Sequence, residues 1–136
     1  MDLSDIPLFS MLRGRLGYLG QRQQVIAQNV ANSDTPRYRP EDLKPFSFNA
    51  QMQATQGVSS PAVTRPGHMS GTGGPSQAFK TFKTRDSETT LDGNSVVLEE
   101  EMLKMGEART NYDAAIGFYQ RSLALLRMAA RPPGRG

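Results

Sequence analysis

Two apolar seams, one near each end of the chain, constrain the fold more than any other feature. Phe9, Leu12, Leu16, Leu19, Gln23, Ile26 and Val30 follow one another at alternating steps of three and four residues, with Gln23 the polar interruption. Leu98, Met102, Met105, Arg109, Tyr112, Ile116, Tyr119, Leu123, Leu126 and Ala130 keep the same alternation for nine steps. Such steps set side chains along one stripe of an α-helix, and a stripe of that kind is covered by another helix. The nearest helix available to either seam is the other one. The expected fold is mainly α, with two long terminal helices forming a coiled-coil-like pair around a middle that is loop-rich or disordered.

The ends of both helices are marked. Ser4 or Asp5 suits the first N-cap, and Pro7 suits the first turn, where its missing N–H costs nothing. Asn32 fits the left-handed residue that closes a helix, and Pro36 forbids continuation. Asp92–Gly93 reads as a turn, after which Asn94 or Ser95 caps the second helix. Glu99, Glu100 and Glu101 near its start and Arg121, Arg127 and Arg131 near its end complement the helix dipole, and Pro132–Pro133 stops it. Helices over 7–32 and 95–130 would extend about 39 Å and about 54 Å.

Between them, six of the nine prolines fall from Pro36 to Pro75, and Gly71, Gly73 and Gly74 add further breaks. No period persists there, and Ala78–Thr84 is the best strand candidate. The division expected is an N-terminal helix and turn over 1–36, a loop, short-strand or disordered middle over 37–90, and a C-terminal helix over 91–136. Residues 1–45 and 91–136 together would form one helical assembly domain.

Composition argues against chemistry. Leu, Ile, Val and Phe fill 27 of 136 positions, about a fifth, which is thin for a large enzyme core. With no cysteine there is neither disulfide, thiol nucleophile nor thiolate metal site, and a single histidine, His68, rules out multi-histidine metal sites. The Gly71–Ser76 run lacks the Gly-Lys-Ser/Thr ending of a phosphate loop. Glu99–Glu101 point in different directions around a helix, and Ser59–Ser60 and Thr89–Thr90 have no base beside them in sequence. No catalytic residues, cofactor or metal are expected.

The basic excess is small and spread out: six Lys/Arg against five Asp/Glu in residues 1–45, four against two in 46–90 and six against six in 91–136. A phosphate-tracking surface needs a concentrated patch, so no nucleic-acid partner is expected. No apolar run approaches the roughly 20 residues of a membrane span. The start, MDLSDIPLFS, has acids before any base and does not make a cleavable secretory signal.

Two helices alone leave apolar surface in water. Tyr18, Val25, Leu103, Phe118 and Leu125 lie off both seams, as ordinary surface residues or as a contact surface for further copies. Gly14, Gly17 and Gly20 interrupt the first helix and Gly106 and Gly117 the second, each at a cost of about 1 kcal/mol relative to alanine. Helices so weakened become ordered when packing supplies the difference.

Two stretches carry a family resemblance. In RQQVIAQNVANSDTPRY, Arg22–Tyr38, the residues Asn29, Ala31, Asn32, Thr35, Pro36 and Tyr38 match the motif that ends the first helix of bacterial flagellar basal-body rod proteins. Many members have glycine or asparagine before the tyrosine, where this chain has Arg37. The second stretch, Leu91–Ala129, opens with Leu91, Asp92, Gly93 and Asn94 and is similar to the proximal-rod members of the same family.

The resemblance implies a structural subunit that assembles through its terminal helices into a hollow periplasmic drive shaft and export channel. It also implies type III export without a cleaved signal. Partners would be further copies of the chain, other rod subunits and components of the inner-membrane ring and export gate. The seam residues Phe9, Leu12, Leu16, Leu19, Ile26 and Val30 would pack against Leu98, Met102, Met105, Tyr112, Ile116, Tyr119, Leu123 and Leu126. The alternative is a small helical adaptor or export-chaperone-like binding module, with a basic DNA-binding protein a distant third.

Overall fold

A computed structural model describes residues 6–47, 49 and 79–134. Ser4 and Asp5, Ser59–Ser60, His68 and the Gly71–Ser76 run lie outside the described residues. The order of elements is helix α1 (Pro7–Ala31), strand β1 (Glu41–Leu43), strand β2 (Thr81–Lys83) and helix α2 (Leu98–Ala129). At 1.5 Å per residue the helices are about 38 Å and about 48 Å long.

The helices run antiparallel: Phe9 meets Tyr119, Arg22 reaches towards Glu107 and Asn29 bonds Glu101. Phe9 and Tyr119 pack edge to face with ring centroids 5.3 Å apart. Leu12, Leu19 and Ile26 complete the buried stripe of α1, and each such side chain contributes about 1.5–3 kcal/mol on leaving water.

β1 and β2 form an antiparallel ribbon with Asp42 opposite Phe82, extended by Lys44 N–H to Lys80 O and Thr84 N–H to Pro40 O, both 3.0 Å. The strand foreseen within 78–84 is β2. The ribbon and its flanks pack on α1 beside α2, so that Arg22 reaches both Asp42 of β1 and Glu107 of α2. Tyr18, expected to be a surface residue or a subunit contact, is instead buried here, with Phe79 and Phe46 centred 5.2 Å and 5.5 Å from its ring. Leu43 joins Tyr18, Leu19 and Ala115 in the core, with Val25 packed against it.

Both helix starts differ from expectation. The N-cap of α1 is Ile6, without a side-chain bond, and Pro7 occupies the first turn. α2 begins at Leu98 with Val97 as N-cap, so neither Asn94 nor Ser95 caps it. Tertiary bonds hold those two residues out of the helix: Asn94 donates to Asn32 and Thr35 carbonyls, and Ser95 N–H donates to Tyr38 O. Asn32 closes α1 at φ −101°, so it is not left-handed. Its side-chain amide donates to Gln28 O at 2.8 Å and satisfies a terminal carbonyl from outside the helix.

The contact face of α2 is turned from the expected seam, whereas α1 keeps its seam except at the last position. In α1 the last buried position is Asn29, and Val30 is exposed. In α2 the fully buried residues are Glu101, Ala108 and Ala115, seven residues apart. Leu98 and Met102 are exposed, Arg109 is exposed, and Met105, Tyr112, Ile116, Tyr119, Leu123 and Leu126 are half-buried. The packed stripe runs through 101, 105, 108, 112, 115 and 119, one residue over from the expected line at alternate positions. Alanines at 108 and 115 let α1 approach closely. The bulkier Met102 and Ile116 would hold the helices apart.

Beyond the adjoining residues and the helix's own backbone, no atom lies within 4 Å of where a Cβ would sit on Gly17, Gly20, Gly106 or Gly117. The pair itself gives no reason for glycine at these positions. Gly117→Ala and Gly17→Ala should each stabilise the helix pair by up to about 1 kcal/mol, seen as a higher urea midpoint with an unchanged slope.

Candidate functional site

The residues foreseen at the ends of the two helices converge on one polar clasp. Its centre is Asn29, only 1% exposed in the last turn of α1. The amide nitrogen donates to Glu41 O at 2.7 Å and to Glu101 Oε2 at 2.9 Å. The amide oxygen accepts from Glu41 N–H at 3.0 Å and Tyr38 Oη–H at 3.1 Å. One side chain thereby replaces a strand neighbour for β1, anchors the start of α2 and holds the tyrosine after the helix. All its donors and acceptors are used, as burial requires.

Glu101, 1% exposed, was expected to serve the helix dipole. Its carboxylate instead takes Asn29 on one oxygen and Lys104 Nζ on the other, at 3.0 Å. A signal for it exists in the register 101, 108, 115, which is continuous with two alanines rather than with the larger apolar residues.

A second knot joins the two family-like motifs. Asn94, 2% exposed, donates to Asn32 O at 2.9 Å and Thr35 O at 2.7 Å, while its own oxygen accepts from Val96 N–H. Arg37 N–H donates to Asp92 O at 3.0 Å. Thr35 Oγ1 donates to Asn32 Oδ1, which folds the turn back on the helix end. Thr90 Oγ1 bonds Asp92 Oδ1, and Thr89 Oγ1 meets Ser95 Oγ, so this threonine pair builds the turn. The Thr90 hydroxyl and then the Asn94 N–H hold the Asp92 carboxyl below its ordinary value of 3.8.

Arg37 is the one non-glycine residue with positive φ, at 60°, among the described residues. It stacks on Gly93, itself at φ 82°, where a Cβ would meet Arg37 Cγ at 3.3 Å and Cα at 3.4 Å. Two left-handed residues face each other where the motifs cross. Glycine or asparagine at position 37 is the residue that geometry favours.

A third tie was not anticipated. Arg22 Nε and Nη2 donate to the two carboxylate oxygens of Asp42 at 3.2 Å and 3.4 Å, fastening β1 to the middle of α1. Burial opposes the charge on Arg22, but the hydrogen bond and field of Asp42, with Glu107, outweigh it and raise the guanidinium pKa. Burial likewise pushes the Tyr18 and Tyr38 hydroxyls up, with Arg22 opposing at Tyr18 and Glu41 and Glu101 adding at Tyr38.

Of the residues singled out in the motifs, Asn29, Asn32, Thr35, Tyr38, Asp92, Gly93 and Asn94 are thus brought together. Ala31, Pro36 and Leu91 are exposed and take no part in the clasp. The clasp contains no acid–base pair poised over a cavity, and among the described residues no group of His, Asp or Glu is placed to hold a metal ion.

Residues 13–39 match the family model described as flagella basal body rod protein. That segment covers most of α1 and the first motif of the clasp. The chain is 36% identical over 118 residues to flagellar basal body rod protein FlgB of Agrobacterium fabrum, covering 82% of this chain and 84% of that one. FlgB of Cereibacter sphaeroides is 24% identical, with 81% and 83% of the two chains covered. FlgB of Escherichia coli is 27% identical, with 74% and 76% covered.

Asn29→Asp keeps the shape of the side chain but sets a second carboxylate against Glu101, and should cost about 3 kcal/mol in a urea titration of the helical signal. Arg37→Gly removes the left-handed strain and should raise stability by up to about 1 kcal/mol in the same titration.

Proposed function

The chain belongs to the flagellar basal body rod protein family, in its FlgB branch, and on that premise we propose that it builds the proximal rod by joining further copies of itself and other rod subunits through its paired terminal helices. Family membership makes it a structural protein of the flagellar basal body rod rather than an enzyme. The proposal adds the mode of assembly, the place of the rod as a periplasmic drive shaft and export channel, and contact with the inner-membrane ring and export gate. It adds passage through the type III apparatus without a cleaved signal. Among the described residues no helix is long and apolar enough to cross a membrane.

The observation that carries the reading is the apolar surface left on α2. Met102, Leu103, Phe118, Leu125 and Met128 are each at least half exposed, while the fully buried residues of the helix are Glu101, Ala108 and Ala115. A helix that leaves this many large apolar side chains in water is unfinished as a monomer. The open glycines lie on the same helices, and in the rod they admit neighbouring backbones. The proposed assembly domain, 1–45 with 91–136, takes in the clasp and both helices, and Phe79 and β2 from the middle stretch complete its packing.

Folding coupled to assembly should show in far-UV circular dichroism. Helicity should climb as the purified chain is concentrated over about a hundredfold range. Full helicity in the most dilute sample would favour a self-sufficient helical adaptor. In cells lacking their own copy, Leu19→Asp should abolish motility by breaking the helix pair. Leu103→Asp should also abolish it while leaving stability within about 0.5 kcal/mol, since the site is exposed. Full motility with Leu103→Asp would overturn assembly through this face of α2.

A further inference from the structure

Cysteine is absent, so methionine carries all the sulfur of the chain. With no thiol to compete, the thioethers are the sulfur that a peroxide oxidises, and exposure decides which of them it reaches. Seven methionines occur, of which Met1, Met52 and Met69 lie outside the described residues. The other four fall into two pairs. Met11 on α1 and Met105 on the packed stripe of α2 are half-buried. Met102 and Met128 are 69% and 60% exposed.

Both exposed thioethers stand on the apolar surface that α2 leaves in water. Met102 follows Leu98 at a spacing of four and adjoins Leu103, and Met128 follows Leu125 at a spacing of three. All three leucines are themselves exposed, and residues three or four apart are neighbours on a helix. Each methionine is thus part of an apolar patch, one near the start of α2 and one near its end, about 39 Å apart. Oxidation turns a flexible apolar side chain into a polar sulfoxide. At Met102 and Met128 the new oxygen stays in water and leaves the packed stripe untouched. A neighbour seated on the patch would instead bury that oxygen without a donor, which is costly.

Resting on the rod reading, we propose that Met102 and Met128 are a modification site for peroxide, by which oxidation closes the assembly face of α2 in the free subunit. A sulfur lone pair attacks one peroxide oxygen, and the S–O bond forms as the O–O bond breaks. The departing hydroxide takes the proton of the transferred oxygen and leaves as water, so sulfur loses the two electrons that the peroxide gains. A methionine sulfoxide reductase reverses the step with two electrons from a pair of thiols, which close to a disulfide as the oxygen leaves as water. A neighbour that covers the two residues also shields them, so the site is open before assembly and closed after it.

The full chain treated with hydrogen peroxide should carry sulfoxide at Met102 and Met128 by peptide mass mapping. It should then need at least about tenfold more protein to reach the helicity of the untreated chain, and the reductase should restore it. The Met102→Leu, Met128→Leu double variant keeps every other methionine and should not respond to peroxide. In cells lacking their own copy, this leucine pair should support full motility. Met102→Gln with Met128→Gln, which sets a polar group at the same places in an equally good helix former, should shrink the swimming ring severalfold.

Full motility with the glutamine pair, loss with the leucine pair as well, or a map with Met11 or Met105 oxidised ahead of Met102 and Met128 would overturn the site. An oxidised leucine pair that weakens as much as wild type would also overturn it. The rod reading is judged by Leu103→Asp. Motility lost with that variant and kept with the glutamine pair removes the oxidation site alone, whereas motility kept with both removes the assembly face.

Discussion

Asn29 is the side chain on which the rest of the arrangement depends. It sits where the first helix ends, the ribbon begins and the second helix starts, and it bonds to all three. A buried primary amide has two donors and an oxygen able to accept twice, and here all are used. Removing or rotating it would take away the partner of Glu101 Oε2, leaving that carboxylate only Lys104, and both side-chain bonds to the backbone of Glu41. Unlike an apolar contact, which tolerates sliding, this network has one satisfactory geometry. It therefore fixes the register of two long helices whose apolar stripes would accept more than one.

That distinction explains what the sequence makes legible. The existence, approximate length and pairing of the helices follow from two long periodic runs at opposite ends of a short chain; their antiparallel direction comes from the structure. The stop after α1 follows from Asn32 and Pro36, and the importance of Asn29, Asn94 and their neighbours follows from the family resemblance. Rotation of the helices does not. Periodicity finds the most apolar stripe of α2, Leu98–Met102–Met105, whereas the packed stripe is the one that permits closest approach, through Glu101, Ala108 and Ala115. A pattern reading assumes that the most apolar face is the inner one. A helix that leaves Met102, Leu103 and Phe118 exposed violates that assumption.

Other misreadings share a physical cause. Asn94 has the residue type of an N-cap and Glu101 that of a dipole partner, and local sequence offers both roles. Tertiary bonds to Asn32, Thr35 and Asn29 outcompete them. The left-handed backbone needed at the crossing of the motifs falls on Arg37, not on Asn32. Tyr18 is buried by Phe46 and Phe79, which come from a stretch whose own periodicity is too weak to announce its packing.

The two kinds of contact divide the work of the molecule. Polar contacts concentrate at the turn end, where they specify how the chain leaves α1 and enters α2. Apolar contacts along the helices are modest, and glycines at open positions subtract from helix stability without any packing gain within the pair. A chain so built is well specified but weakly held. In the proposed assembly it would gain most of its remaining stability as other subunits cover Met102, Leu103 and Phe118. A more stable monomer would need those residues turned inwards, and the surface that assembly requires would go with them. Marginal stability and a precise polar clasp are then two consequences of the same demand. In the proposed rod the geometry is set before the neighbours arrive, while the energy that holds it would come from them.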